Sequence, residues 1–75
     1  MAFDEIQFAR MLGESTDARL EVSAKDYIWL AEYGPEPCRR TFELRRDAVV
    51  TECGRRGRMD IVQRIRKRFS AHLNE

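Results

Sequence analysis

The chain has 75 residues, 43% of them apolar and 36% charged, and a formal net charge of +1. So short a chain buries only roughly 60–65% of the surface its unfolded form exposes, which leaves room for one small core and little for a deep substrate cavity. The balance fits a folded domain rather than a disordered one, and the longest apolar run, 27–31, falls far short of a membrane span.

The segment 3–12 carries Phe3, Ile6, Phe8, Ala9, Met11 and Leu12 in a pattern that fits either periodicity, with helix favoured and Gly13 placed to end it. A loop over 13–17 follows by composition. Ala18, Leu20 and Val22 alternate with Arg19, Glu21 and Ser23, which predicts a short strand at about 18–22. Ser23 is a good helix N-cap, and Asp26 three residues on suits a helix N-terminus. Gly34 and Pro35 are stop signals, Gly34 through the left-handed conformation. The dense apolar run between them, with Tyr27, Ile28, Trp29 and Leu30, predicts a central helix at about 24–33 with Trp29 in the core.

Residues 38–53 read as a hairpin about Arg45-Arg46, with Cys38 opposite Cys53. The weak point is the turn, because two-residue hairpin loops favour Asn or Gly with positive φ. As a helix the same stretch would place Arg46 in the middle of its apolar face. Gly54–Arg58 reads as a basic loop. Asp60 with Gln63 then opens an amphipathic helix at about 61–73, its stripe formed by Ile61, Val62, Ile65, Phe69 and Leu73. The predicted fold is one α+β domain over 1–75, the alternative being an all-α bundle with 38–56 helical.

Catalytic chemistry has no motif to stand on. His72 is a single histidine at the margin of the last stripe, and its expected role is structural. Cys38 and Cys53 lack the paired spacing of a zinc or redox site, so free thiols are expected. The glycine-punctuated 54–57 lacks the trailing Lys-Ser/Thr of a phosphate-binding loop. A non-enzymatic protein without cofactor or metal is expected.

The net charge conceals a segregation. Residues 1–37 carry three bases against eight acids, and residues 38–75 carry eleven bases against five acids. Twelve of the fourteen bases are arginine, the side chain suited to bidentate contact with phosphates and carboxylates. Arg55, Arg56, Arg58, Arg64 and Arg68 therefore read as a surface for nucleic-acid backbone, a loop and a helix edge reaching separate phosphate rows. The second reading is a docking protein: a phage- or plasmid-type inhibitor or regulator presenting Glu14, Asp17, Glu32 and Glu36 to a nucleic-acid-handling protein complex. The acidic beginning, Met-Ala-Phe-Asp-Glu, is unlike a secretory signal, and no segment suits a membrane, so a cytoplasmic protein is expected.

Overall fold

A computed structural model describes residues 4–73, with side chains described through Ala71. Phe3, His72 and Leu73, all weighed above, therefore have side chains outside the described residues. The described chain is helical: α1 (Glu5–Glu14), α2 (Asp17–Tyr33), a 3-10 turn (Glu36–Cys38), α3 (Arg39–Arg55) and α4 (Met59–Leu73). No strand is present among the described residues, so the α+β expectation is wrong and the all-α alternative is the architecture observed.

Helix α1 starts at Asp4, whose carboxylate accepts from the Gln7 amide at 3.0 Å. It continues through Gly13, expected as its end, and closes where the Ser15 amide donates to the Leu12 carbonyl at 3.0 Å. Helix α2 is capped by Thr16, which accepts from the Arg19 amide at 3.2 Å, not by Ser23 seven residues later. The expected strand at 18–22 is thus the opening of α2. The apparent alternation was accidental, since Leu20 is fully buried while Val22 is 61% exposed. The repeat that decides is Leu20, Ala24, Ile28 and Ala31, one buried helical face.

Gly34 ends α2 with φ −71° and ψ 167°, ordinary extended backbone rather than the left-handed form expected. Its hydrogen side chain is needed for space. A Cβ there would run into the Leu30 carbonyl oxygen and stand 3.0 Å from the Phe42 ring.

The hairpin expected over 38–53 is instead the body of α3. Two arginines cannot readily supply the positive φ of a tight hairpin turn, whereas Arg, Leu, Glu and Ala all favour helix. Arg46, the residue that seemed to spoil a helical face, lies on α3 paired with its neighbour Asp47. Arg45 holds its guanidinium carbon 5.8 Å and 5.6 Å from the ring centroids of Phe8 and Tyr27, and Arg46 bonds Asp47 at 3.0 Å. Arginine can cover an apolar surface with its stem and keep its head polar.

Cys38 is consequently exposed at one end of α3 and Cys53 buried near the other, roughly 22 Å away at 1.5 Å per residue. Mild oxidation of the folded protein is expected to form no intrachain disulfide. Cys38 alone should react with a thiol reagent until denaturant is added, because burial also pushes the Cys53 thiol's pKa up. Rapid native labelling of both cysteines would contradict this placement.

Helix α4 begins two residues before the expected start at 61. Asp60 lies within its first turn and is bonded by Arg58 rather than standing as the cap. Ile61, Val62 and Ile65 are buried, and Phe69 is half-buried against them. These side chains join Leu12, Leu20, Ala24, Ile28, Val49 and Cys53 in one core cluster. Helix α3 packs against α1, α2 and α4, and α4 also rests on α2. The backbone spans 38 × 32 × 15 Å, a flat body with outward faces rather than an enclosed chamber. No described helix is long and apolar enough to cross a membrane.

Candidate interaction surface

The turn after α3 brings Arg55, Arg56 and Arg58 together and turns one of them, Arg56, inward. Gly57 takes φ +70°, the Arg58 amide donates to the Cys53 carbonyl at 2.8 Å, and the Gly57 amide donates to the Gly54 carbonyl at 3.1 Å. This is the paired closure of a Schellman motif, and it needs the glycine at the left-handed position. The motif turns the Arg56 side chain back across the molecule onto the corner between α1 and α2.

There Arg56 meets five acceptors, the longest bond being that to the Gly13 carbonyl at 3.5 Å. Its Nη2 donates to the carbonyl oxygens of Leu12 at 2.8 Å and Ser15 at 2.7 Å. Its Nη1 donates to Asp17 at 2.8 Å, and its Nε to Glu52 at 2.7 Å. The cation thus caps the C-terminal end of α1, where unsatisfied carbonyls favour positive charge. Its side chain is only 15% exposed. Arg55 donates to both oxygens of the Glu52 carboxylate and shares Oε2 with Arg56, Arg58 bridges Asp17 at 2.8 Å and Asp60 at 3.0 Å, and Arg64 pairs with Glu21 at 3.2 Å. Four of the five arginines assigned above to nucleic acid are therefore bound to carboxylates of their own chain. Arg68 lies apart, on another face.

The clamp sets protonation. Hydrogen bonds from Arg55 and then Arg56 outweigh burial and hold the Glu52 carboxyl at about 2, against an ordinary 4.5. Asp60 is lowered as well, first by its bond from Arg58. A carboxyl depressed in the folded state contributes its full stabilisation above pH 4.5, and that contribution disappears as pH falls toward 2. Between pH 6 and pH 2.5 the wild type is expected to lose more stability in urea titrations than Glu52→Gln. Equal losses would mean the clamp is not charged as described.

The acids assigned to docking do not converge either. Glu14 borders a shallow hollow with Met11 and Arg19, and Asp17 is taken by Arg56 and Arg58. Glu36 pairs with Arg39 at 3.0 Å. Glu32 lies near the far end of α2 from Asp17, roughly 22 Å along its axis.

Glu32 borders a surface the sequence reading missed. Trp29, expected in the core, is 38% exposed, and Tyr33 one turn on is 41% exposed. Their ring centroids lie 4.3 Å apart, and Trp29 also meets Phe69 of α4 edge-on at 5.2 Å. Beside them runs a groove of about 620 Å³ lined by Lys25, Asp26, Leu30 and Arg68 as well as Trp29 and Phe69. A second hollow, of about 320 Å³, is bordered by Glu32, Tyr33, Arg46 and Arg66. Trp, Tyr and Arg are the residues that concentrate binding energy at protein interfaces, and contiguous exposed aromatics mark interaction sites. The signal was present in the sequence: with helix from 17 to 33, Val22, Trp29 and Tyr33 share a face opposite Leu20, Ala24 and Ile28.

Among the described residues, no three His, Cys, Asp or Glu side chains converge as metal ligands would. No family model, curated protein or solved structure matches this chain.

Proposed function

We propose that this chain is a small non-enzymatic cytoplasmic regulator that works by docking the aromatic ledge of α2 and α4 onto a larger protein assembly. Small phage or plasmid inhibitors that occupy nucleic-acid-handling complexes would act in this manner. The observation that carries the reading is the exposed Trp29–Tyr33–Phe69 cluster with its adjoining groove. The alternative of direct nucleic-acid contact is less favoured because Arg55, Arg56, Arg58 and Arg64 are engaged by Glu52, Asp17, Asp60 and Glu21. A phosphate backbone would have to displace those carboxylates before it gained any counterion release.

The test is stoichiometric capture from extract of the source cell by a Trp29-site photocrosslinker, compared with the same group at Arg10 on α1. Docking at the ledge predicts one dominant adduct from position 29 only, lost in Tyr33→Ala. Identical adducts from both positions, or a nucleic-acid adduct in place of protein, would overturn it.

A further inference from the structure

Helix α2 has apolar residues on two opposite faces; one is buried, and the other is covered only in part, where Phe69 of α4 meets Trp29. At about 100° per residue, Val22, Trp29 and Tyr33 fall within about 40° of one another, directly opposite the buried Leu20, Ala24, Ile28 and Ala31. Val22 is 61% exposed, and Ala18 extends the outward stripe by a turn. A helix apolar on both faces is ordinarily buried on both. Here the outer face spans most of a 17-residue helix, roughly 25 Å at 1.5 Å per residue.

The charges beside the stripe say what would cover it. Lys25 lies about 50° to one side and Asp26 about 50° to the other. Among the described residues neither forms an ion pair within its own chain, and both line the groove that Arg68 of α4 borders. Consider two copies of α2 related by a two-fold axis parallel to both helices. That symmetry lays the Lys25 edge of each helix against the Asp26 edge of the other. Val22, Trp29 and Tyr33 then meet their own counterparts along the seam. Asp26 of the second copy faces the position between Lys25 and Arg68, and the exchange is reciprocal, as an isologous interface requires. An antiparallel pairing would instead bring Lys25 toward Lys25 and Asp26 toward Asp26. The pattern therefore favours one orientation.

We infer that two copies of the chain associate through the outer face of α2, in parallel, with reciprocal Lys25–Asp26 pairs flanking an aromatic seam. The inference rests on the docking reading for its consequence: Trp29 and Tyr33 are hidden in the pair, so a target must compete with the second copy. Self-association is then a built-in control on docking. A seam of this size belongs to the weak, exchangeable class of interface, with micromolar affinity.

Sedimentation equilibrium of the full chain and of three charge variants tests this. Lys25→Asp and Asp26→Lys are each expected to weaken association about tenfold or more, since each puts like charges opposite one another on both sides of the seam. The double variant Lys25→Asp with Asp26→Lys restores opposite signs and is expected to recover association. Circular dichroism should show all three folded, because both side chains are exposed. A wild type that stays monomeric across the micromolar range would overturn the inference while leaving docking at the ledge untouched. Association indifferent to the single changes, or not recovered in the double variant, would overturn it equally.

Discussion

Replacing Arg56 with Ala is expected to lower the urea midpoint of the domain clearly, because it strands the Glu52 carboxylate and removes a donor from the end of α1. A domain of this length has a total stability of only ~4–11 kcal/mol, so the variant should be largely unfolded by modest urea. The effect follows from what the side chain holds. Without the guanidinium, the Ser15 carbonyl loses this donor, the Leu12 carbonyl keeps only the Ser15 amide, and Glu52, 8% exposed, keeps only the more solvated Arg55. Arg56→Lys should recover only part of the loss, because one ammonium cannot span the carbonyls and carboxylates that the planar fork reaches. Stability unchanged in Arg56→Ala would mean the α1–α2 corner is held by other contacts. The double change Arg55→Glu with Arg58→Glu is expected to be costly for the same reason. It sets carboxylates against Glu52, Asp17 and Asp60.

Leu20→Ala should cost about 2–5 kcal/mol, whereas Val22→Ala, measured in dilute solution, should cost less than about 0.5 kcal/mol. Leu20 is fully buried against Leu12, Ala24 and the α3–α4 side chains, and its removal leaves a cavity in the only core cluster found among the described residues. Val22, two residues on, faces outward. The pair separates helix from strand directly, since on a half-buried strand the two side chains would share one face and both would be costly. Comparable losses at both positions would contradict the start of α2 at Asp17. Chemical denaturation midpoints with an unchanged slope are the appropriate readout.

The C-terminal helix was legible because its stripe, Ile61, Val62, Ile65 and Phe69, has one period and one face. α2 was half legible. Its end at Gly34 was marked, but Ser23 and Asp26 imitated a cap that Thr16 and Arg19 actually make. Local capping chemistry cannot choose between two such sites; the unbroken buried face from Leu20 to Ala31 does. The α3 region misled for a different reason. Arg46 within the apolar pattern counted against a helix, whereas the fold pairs it with Asp47 and lays its neighbour Arg45 over the rings of Phe8 and Tyr27. The basic cluster at 55–58 was visible, but its meaning was tertiary. Asp17 and the ends of α1 lie some forty residues away in sequence, and only the fold brings them under Arg56 and Arg58. The ledge was hidden by the truncated helix, which assigned Val22 to a strand and Trp29 to the interior.

The central proposal is that these arginines serve the fold through carboxylates of their own chain rather than a phosphate backbone. A fluorescence-anisotropy titration of labelled duplex DNA and structured RNA at about 50 mM salt tests it most directly. With the domain shown to be folded, the expected result is no saturable binding to either. Saturable binding that weakens with salt at a log–log slope near −0.9 per phosphate neutralised on the duplex, and that disappears on charge reversal at Arg55 and Arg58 in a protein still folded, would contradict it.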